Sequence, residues 1–188
     1  MSSAPVILLD PAGRKYVFVG NDKEVRVANE YLTKVKKKSK TIREFDERDE
    51  QFRIVLETNS ADNPGTYKTG ILDIADIRDI GELVKHDKCG KEVPLGEMMF
   101  VHELAEQASK QLIGDEDYNR DHTLAVDAEK EYSGLERIKI GPDGYMDSAF
   151  LGGYTGNYEF RDKAGTRFKV SVDYTTDDKG LKIQRIPK

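Results

Sequence analysis

Apolar residues fall at strand spacing near the start of the chain, at helix spacing through its middle, and at strand spacing again in its last third. KYVFV, residues 15–19, predicts a short strand after the PAG turn. Asn21 or Asp22 can then cap a helix, in which Val25, Ala28, Asn29, Leu32 and Val35 make a partly apolar stripe. That helix runs out in KVKKKSK, Lys34 to Lys40, where lysines oppose the negative pole of its dipole. QFRIVLET alternates and predicts a strand over Phe52 to Thr58, and the following NSADNPGTYKTG has the composition of a loop. GILDIADIRDI, Gly70 to Ile80, alternates in its first part and predicts an edge strand followed by a turn.

The strongest helical pattern spans Glu97 to Ile113. Val101, Leu104, Ala105, Ala108 and Leu112 form its apolar stripe, and His102, Glu106 and Ser109 run beside it. GDEDYNRD interrupts, after which His122 to Tyr132 predicts a second helix with Leu124, Ala125 and Ala128 inward and Gly134 as its stop. Beyond that point the pattern changes. Segments 137–140, 157–161, 168–174 and 182–186 alternate, separated by the turn sequences GPDG, DKAGT and TTDDKG. The expected organisation is an α+β core over residues 1–134, its Glu97 to Ile113 helix beside a small sheet and a second helix packed on it, with a β-rich C-terminal appendage over 135–188.

Composition narrows the functional classes. The 188 residues are 35% charged and sum to -5, a balance that argues against nucleic-acid binding, whose footprint is normally basic. The one basic run, Lys34 to Lys40, reads as a solvated helix end. No apolar segment reaches the length of a membrane span, and the start lacks the basic region of a signal peptide. The expectation is a chain that is cytoplasmic as synthesised, or exported by a route without a classical signal peptide. Cys89 is the only cysteine, in an apparent turn, and allows no internal disulfide.

The chemistry concentrates in MFVHELAEQASKQL, residues 99–112. His102 and Glu106 lie one helical turn apart and can face a common centre, with Glu103 about 100° around the helix. In an HExxH site two histidines hold zinc and the intervening glutamate takes a proton from metal-bound water. Here Glu106 stands where the second histidine would be, and carboxylate is itself an accepted zinc ligand. A third ligand has two sources, His122 and Glu129, which share a face of the second helix. His122 gives a set of two histidines and one carboxylate, with Glu129 orienting His122 from behind. Glu129 as ligand gives two carboxylates and one histidine, and favours manganese or iron over zinc. His86, near a turn, reads as a surface residue, and Tyr145, Tyr154, Tyr158 and Tyr174 are candidate oxyanion-stabilising phenols.

The order LLDPAGRKYVFVGNDKEVRVANEYLTKV, FRIVLET, GILDIADI, VHELAEQ and DHTLAVDAEKE, over roughly residues 8–132, resembles zincin-type effector peptidases. These occur as bacterial secreted effectors and as C-terminal toxin domains of repeat-containing polymorphic toxins. The resemblance implies a zincin-like core, His102 as first ligand, Glu103 as catalytic base, Glu106 at the second-ligand position and His122 or Glu129 as the third. It further implies a protein or peptide substrate and an immunity or inhibitor protein as partner. The glutamate at 106 departs from the family pattern, and its added negative charge and shorter reach lower zinc affinity and the activation of a bound water. The expected function is therefore a metal-dependent peptidase. Its rivals are an inactive zincin-like interaction module and a phage- or secretion-associated structural protein.

Overall fold

The structure, a computed structural model, describes residues 15–58, 65–83, 92–138, 146–150, 153–177 and 180–185. The first described elements are strand β1 (Tyr16–Val19) and helix α1 (Asp22–Lys36). Asn21 caps α1 through a reciprocal box, its side chain accepting from the Glu24 amide at 3.0 Å while the Glu24 carboxylate accepts from the Asn21 amide at 2.9 Å. Val25, Ala28, Leu32 and Val35 then bury one face. A second, short helix, α2 (Lys40–Asp46), follows at once, capped by Ser39 and anchored by buried Ile42 and Phe45. Strands β2 (Phe52–Glu57), β3 (Gly65–Thr66) and β4 (Ile71–Asp73) complete a four-stranded sheet in the order β1-β2-β4-β3. β1, β2 and β4 are parallel, and β3 runs antiparallel to β4 at the edge.

Residues 70–80 depart from the expected edge strand and turn. β4 lasts three residues, lies inside the sheet, and gives way directly to helix α3 (Ile74–Leu83). The switch has a local cause. The Asp73 carboxylate accepts from the amides of Ala75 and Asp76, both at 3.1 Å, and so starts a helix. Ile74, Ile77 and Ile80, spaced by three, are all buried.

Helix α4 (Leu95–Ile113) lies at the centre of the molecule, packed on α3 and on helix α5 (Tyr118–Ser133), and touching α1, α2 and β2. Its burial therefore exceeds the single predicted stripe: Leu95, Met98 and Phe100 are as inaccessible as Val101, Leu104, Ala105 and Ala108. α3 and α4 meet at Gly81 and Gly96, where a β-carbon on Gly96 would lie 2.6 Å from the Ile77 carbonyl oxygen and 2.8 Å from the Gly81 α-carbon. α5 begins at Tyr118, four residues before the expected start, because Asp117 caps it through the Arg120 amide. No helix among the described residues is long and apolar enough to cross a membrane.

The described residues from 136 onward form a second, antiparallel sheet of β5 (Glu136–Arg137), β6 (Met146–Phe150), β7 (Gly153–Arg161), β8 (Arg167–Asp177) and β9 (Gly180–Arg185). β5 and β6 pair with successive lengths of β7, and β8 lies between β7 and β9. Tyr158, Phe160, Val170 and Val172 alternate onto one face and join the same buried cluster as the helices and first sheet. The whole is a mixed, α+β structure. His86 and Cys89, Tyr145 and the chain start fall outside the described residues.

Candidate metal centre

Two faces of α4 divide the work around the site. His102, Glu106 and Ser109 follow each other at four and three residues and face α5; Glu103, Gln107 and Lys110 do the same on the side of β3. On the first face the Ser109 hydroxyl donates to Asp121 at 2.6 Å. Asp121 is fully buried and also accepts from the Tyr67 hydroxyl at 2.8 Å and from Arg120. This network fixes α5 against α4 beside His122 and one helical turn along α4 from Glu106.

His102, Glu106 and His122 come together there. A Glu106 carboxylate oxygen lies 3.5 Å from His102 Nε2 and 3.2 Å from His122 Nδ1, and one ligand atom from each of the three residues lies within 4.8 Å of the others. A tetrahedral ion with bonds of about 2.0–2.1 Å spans roughly 3.3 Å between ligand atoms, so two of the three spacings already fit. The His102–Glu106–His122 cluster could hold a metal ion. Of the two sources of a third ligand, the geometry brings in His122.

Glu129 stands behind a different histidine from the one expected. Its carboxylate lies 2.7 Å from His102 Nδ1, on the far side of the ring from Glu106, and it also pairs with Arg137 of β5. The arrangement is that of a carboxylate orienting a metal-ligating imidazole. Arg137 escaped sequence reasoning, since nothing in a two-residue strand marks it as the counter-ion of a buried glutamate in α5.

The electrostatics follow from burial and these contacts. Burial alone would lower the pKa of His102, but the Glu129 carboxylate and the close approach of Glu106 raise it to about 9. Burial would raise Glu106, yet hydrogen bonds from His102 and His122, with their charges, hold it at about 2. Glu103 is pushed up to about 7, chiefly by burial; His102 opposes this, and Glu106 and Glu129 add to it.

Tyr118, half exposed, stacks on the His122 ring at a centroid separation of 5.0 Å and meets Tyr67 edge-on at 5.1 Å. Among the described residues the phenols beside the cluster are thus Tyr67 and Tyr118, both outside the four tyrosines singled out from the sequence. Tyr158 is buried on the inner face of the second sheet. The side chains of Tyr154 and Tyr174 lie outside the described set. No protein-family model, curated protein or solved structure matches the chain.

Proposed function

We propose that the protein is a zincin-like, metal-dependent peptidase, of the effector or toxin type that its sequence resembles, with His102, Glu106 and His122 as zinc ligands and Glu103 as general base. The observation that carries this reading is the convergence of the three ligand-type side chains within 4.8 Å, with Glu103 on the adjoining face of the same helix. Zinc held there would supply a Lewis acid and a positive charge for a developing oxyanion. Glu103 would serve as the proton acceptor and then as the proton donor to the leaving amine, a role suited to a carboxyl whose pKa is about 7. Glu129, backed by Arg137, fixes the orientation of His102. A peptide as substrate is favoured by β3, which is the last strand of its sheet among the described residues and lies next to Glu103, since an edge strand is the kind of element with which an extended chain pairs.

Metal content by elemental mass spectrometry on untagged protein is the first test, followed by cleavage of denatured casein. About one zinc per chain, lost in His102→Ala and in His122→Ala, is the expected result; Glu103→Gln keeps the metal and loses cleavage. Casein cleavage by Glu103→Gln at the wild-type rate would sink the mechanism. A second reading draws on the same contacts: Glu106 sits between His102 and His122 as a buried ion-pair network, which holds α4 to α5 without any metal. That reading, an interaction module rather than an enzyme, gains if the purified protein takes up no zinc, manganese or iron on supplementation.

A further inference from the structure

The second face of α4 carries an arrangement that the ligands do not explain. Gln107 donates to the Tyr67 carbonyl at 3.1 Å, and Lys110 donates to the carbonyls of Tyr67 and Lys68 at 3.0 and 3.1 Å. These bonds strap the β3–β4 turn along the helix. The register Gly65 opposite Leu72 and Thr66 opposite Ile71 then sets Gly65 over the next residue of that face, Glu103. A β-carbon at Gly65 would lie 2.0 Å from Glu103 Cδ and 2.3 and 2.4 Å from its two carboxylate oxygens. All three are far inside van der Waals contact.

We infer that Gly65 is a positioning residue, whose missing side chain leaves the space in which the Glu103 carboxyl is held on the α4 face adjoining the His102–Glu106–His122 cluster; the inference rests on the peptidase reading of Glu103. The contrast with other crowded glycines supports it. At Gly96 the atoms in the way are backbone, so a side chain there strains the fold. At Gly65 they are only the end of a flexible side chain, which can swing away. Gly65 is a strand residue, and extended backbone places no demand for glycine, so space is the reason left. A methyl group at this position evicts the carboxyl while leaving the strand in place.

The test uses full-length wild type and Gly65→Ala, with zinc and denatured casein as probes. The expected variant binds zinc with unchanged stoichiometry, unfolds at the wild-type midpoint, keeps its KM and loses about tenfold or more in kcat, the scale on which displacement of a catalytic group by an ångström acts. In a Glu103→Asp background, whose carboxyl is one methylene shorter, the same substitution costs little further. Crystal structures of both proteins supply a readout that needs no activity: the carboxyl moves in Gly65→Ala. A carboxyl that stays in place, unchanged kcat, or an undiminished loss in the Glu103→Asp background overturns the inference. If wild type cleaves nothing, the peptidase reading fails by itself, and the carboxyl position still decides the role of Gly65.

Discussion

Removing the guanidinium of Arg137 tests whether the second sheet is energetically part of the candidate site. The Glu129 side chain is 1% exposed and that of Arg137 8%, so neither charge is compensated by water. In Arg137→Met the Glu129 carboxylate keeps only its contact with His102. Breaking a buried pair from one side costs about 3–5 kcal/mol, and the retained histidine places this case near the lower end, at about 3 kcal/mol. With an unfolding entropy of roughly 2 cal/mol/K per residue, that loss lowers the Tm of a chain this long by about 8 °C. Adding Glu129→Gln removes the stranded charge. The double variant is then expected to be more stable than the sum of the single losses implies, by about 1–3 kcal/mol. Urea unfolding followed by circular dichroism suits the measurement, since the chain has no tryptophan. Losses that add to within about 0.5 kcal/mol would refute the coupling, and with it the view that β5 supports His102 through Glu129.

Two further outcomes follow from buried features away from the cluster. Burial, with Asp73 and Asp79 nearby, raises Asp76 to about 7, so the folded state holds its proton over a range where the unfolded state has lost it. Stability is therefore expected to fall as pH rises from about 4 to about 7, by at most about 4 kcal/mol and by about 2 kcal/mol once solvent screening is allowed for. Asp76→Asn should flatten this slope in urea titrations, and an unchanged slope would count against it. Gly96→Ala gains about 1 kcal/mol of helix propensity but drives a methyl into backbone atoms of Ile77 and Gly81. A net loss of about 1–2 kcal/mol is expected, and a higher Tm would show that the α3–α4 crossing is looser than described.

What the sequence disclosed, and what it withheld, divides by the range of the interactions concerned. α1 was legible because its cap and apolar stripe are local, as were the run of α4 and the one-turn spacing of His102 and Glu106. The helical identity of residues 74–83 was obscured by ILDI, which alternates just before three isoleucines spaced by three. α2 was missed because a seven-residue helix with two buried side chains leaves almost no periodicity to detect. Arg137 beside Glu129, and Gly65 above Glu103, depend on where β5 and β3 are set by the sheets; a single residue type at either position carries no mark of its neighbour.

His102, Glu106 and His122 all belong to one helical hairpin, α4 to α5, turned at Gly114, whose left-handed φ of 74° ends the first helix. Few residues separate the two helices, so bringing the ligands together costs the chain little loop-closure entropy. The parallel strands β1 and β2 must instead be gathered across two whole helices, a slower kind of assembly. The cluster is thus a local property of a small, continuous piece of chain, while the parts that refine it, Gly65 from one side and Arg137 from the other, arrive with the sheets. Under the proposed metal reading, capture of an ion and adjustment of its surroundings are separable events in this architecture, and substitutions in the sheets would retune the centre without touching His102, Glu106 or His122.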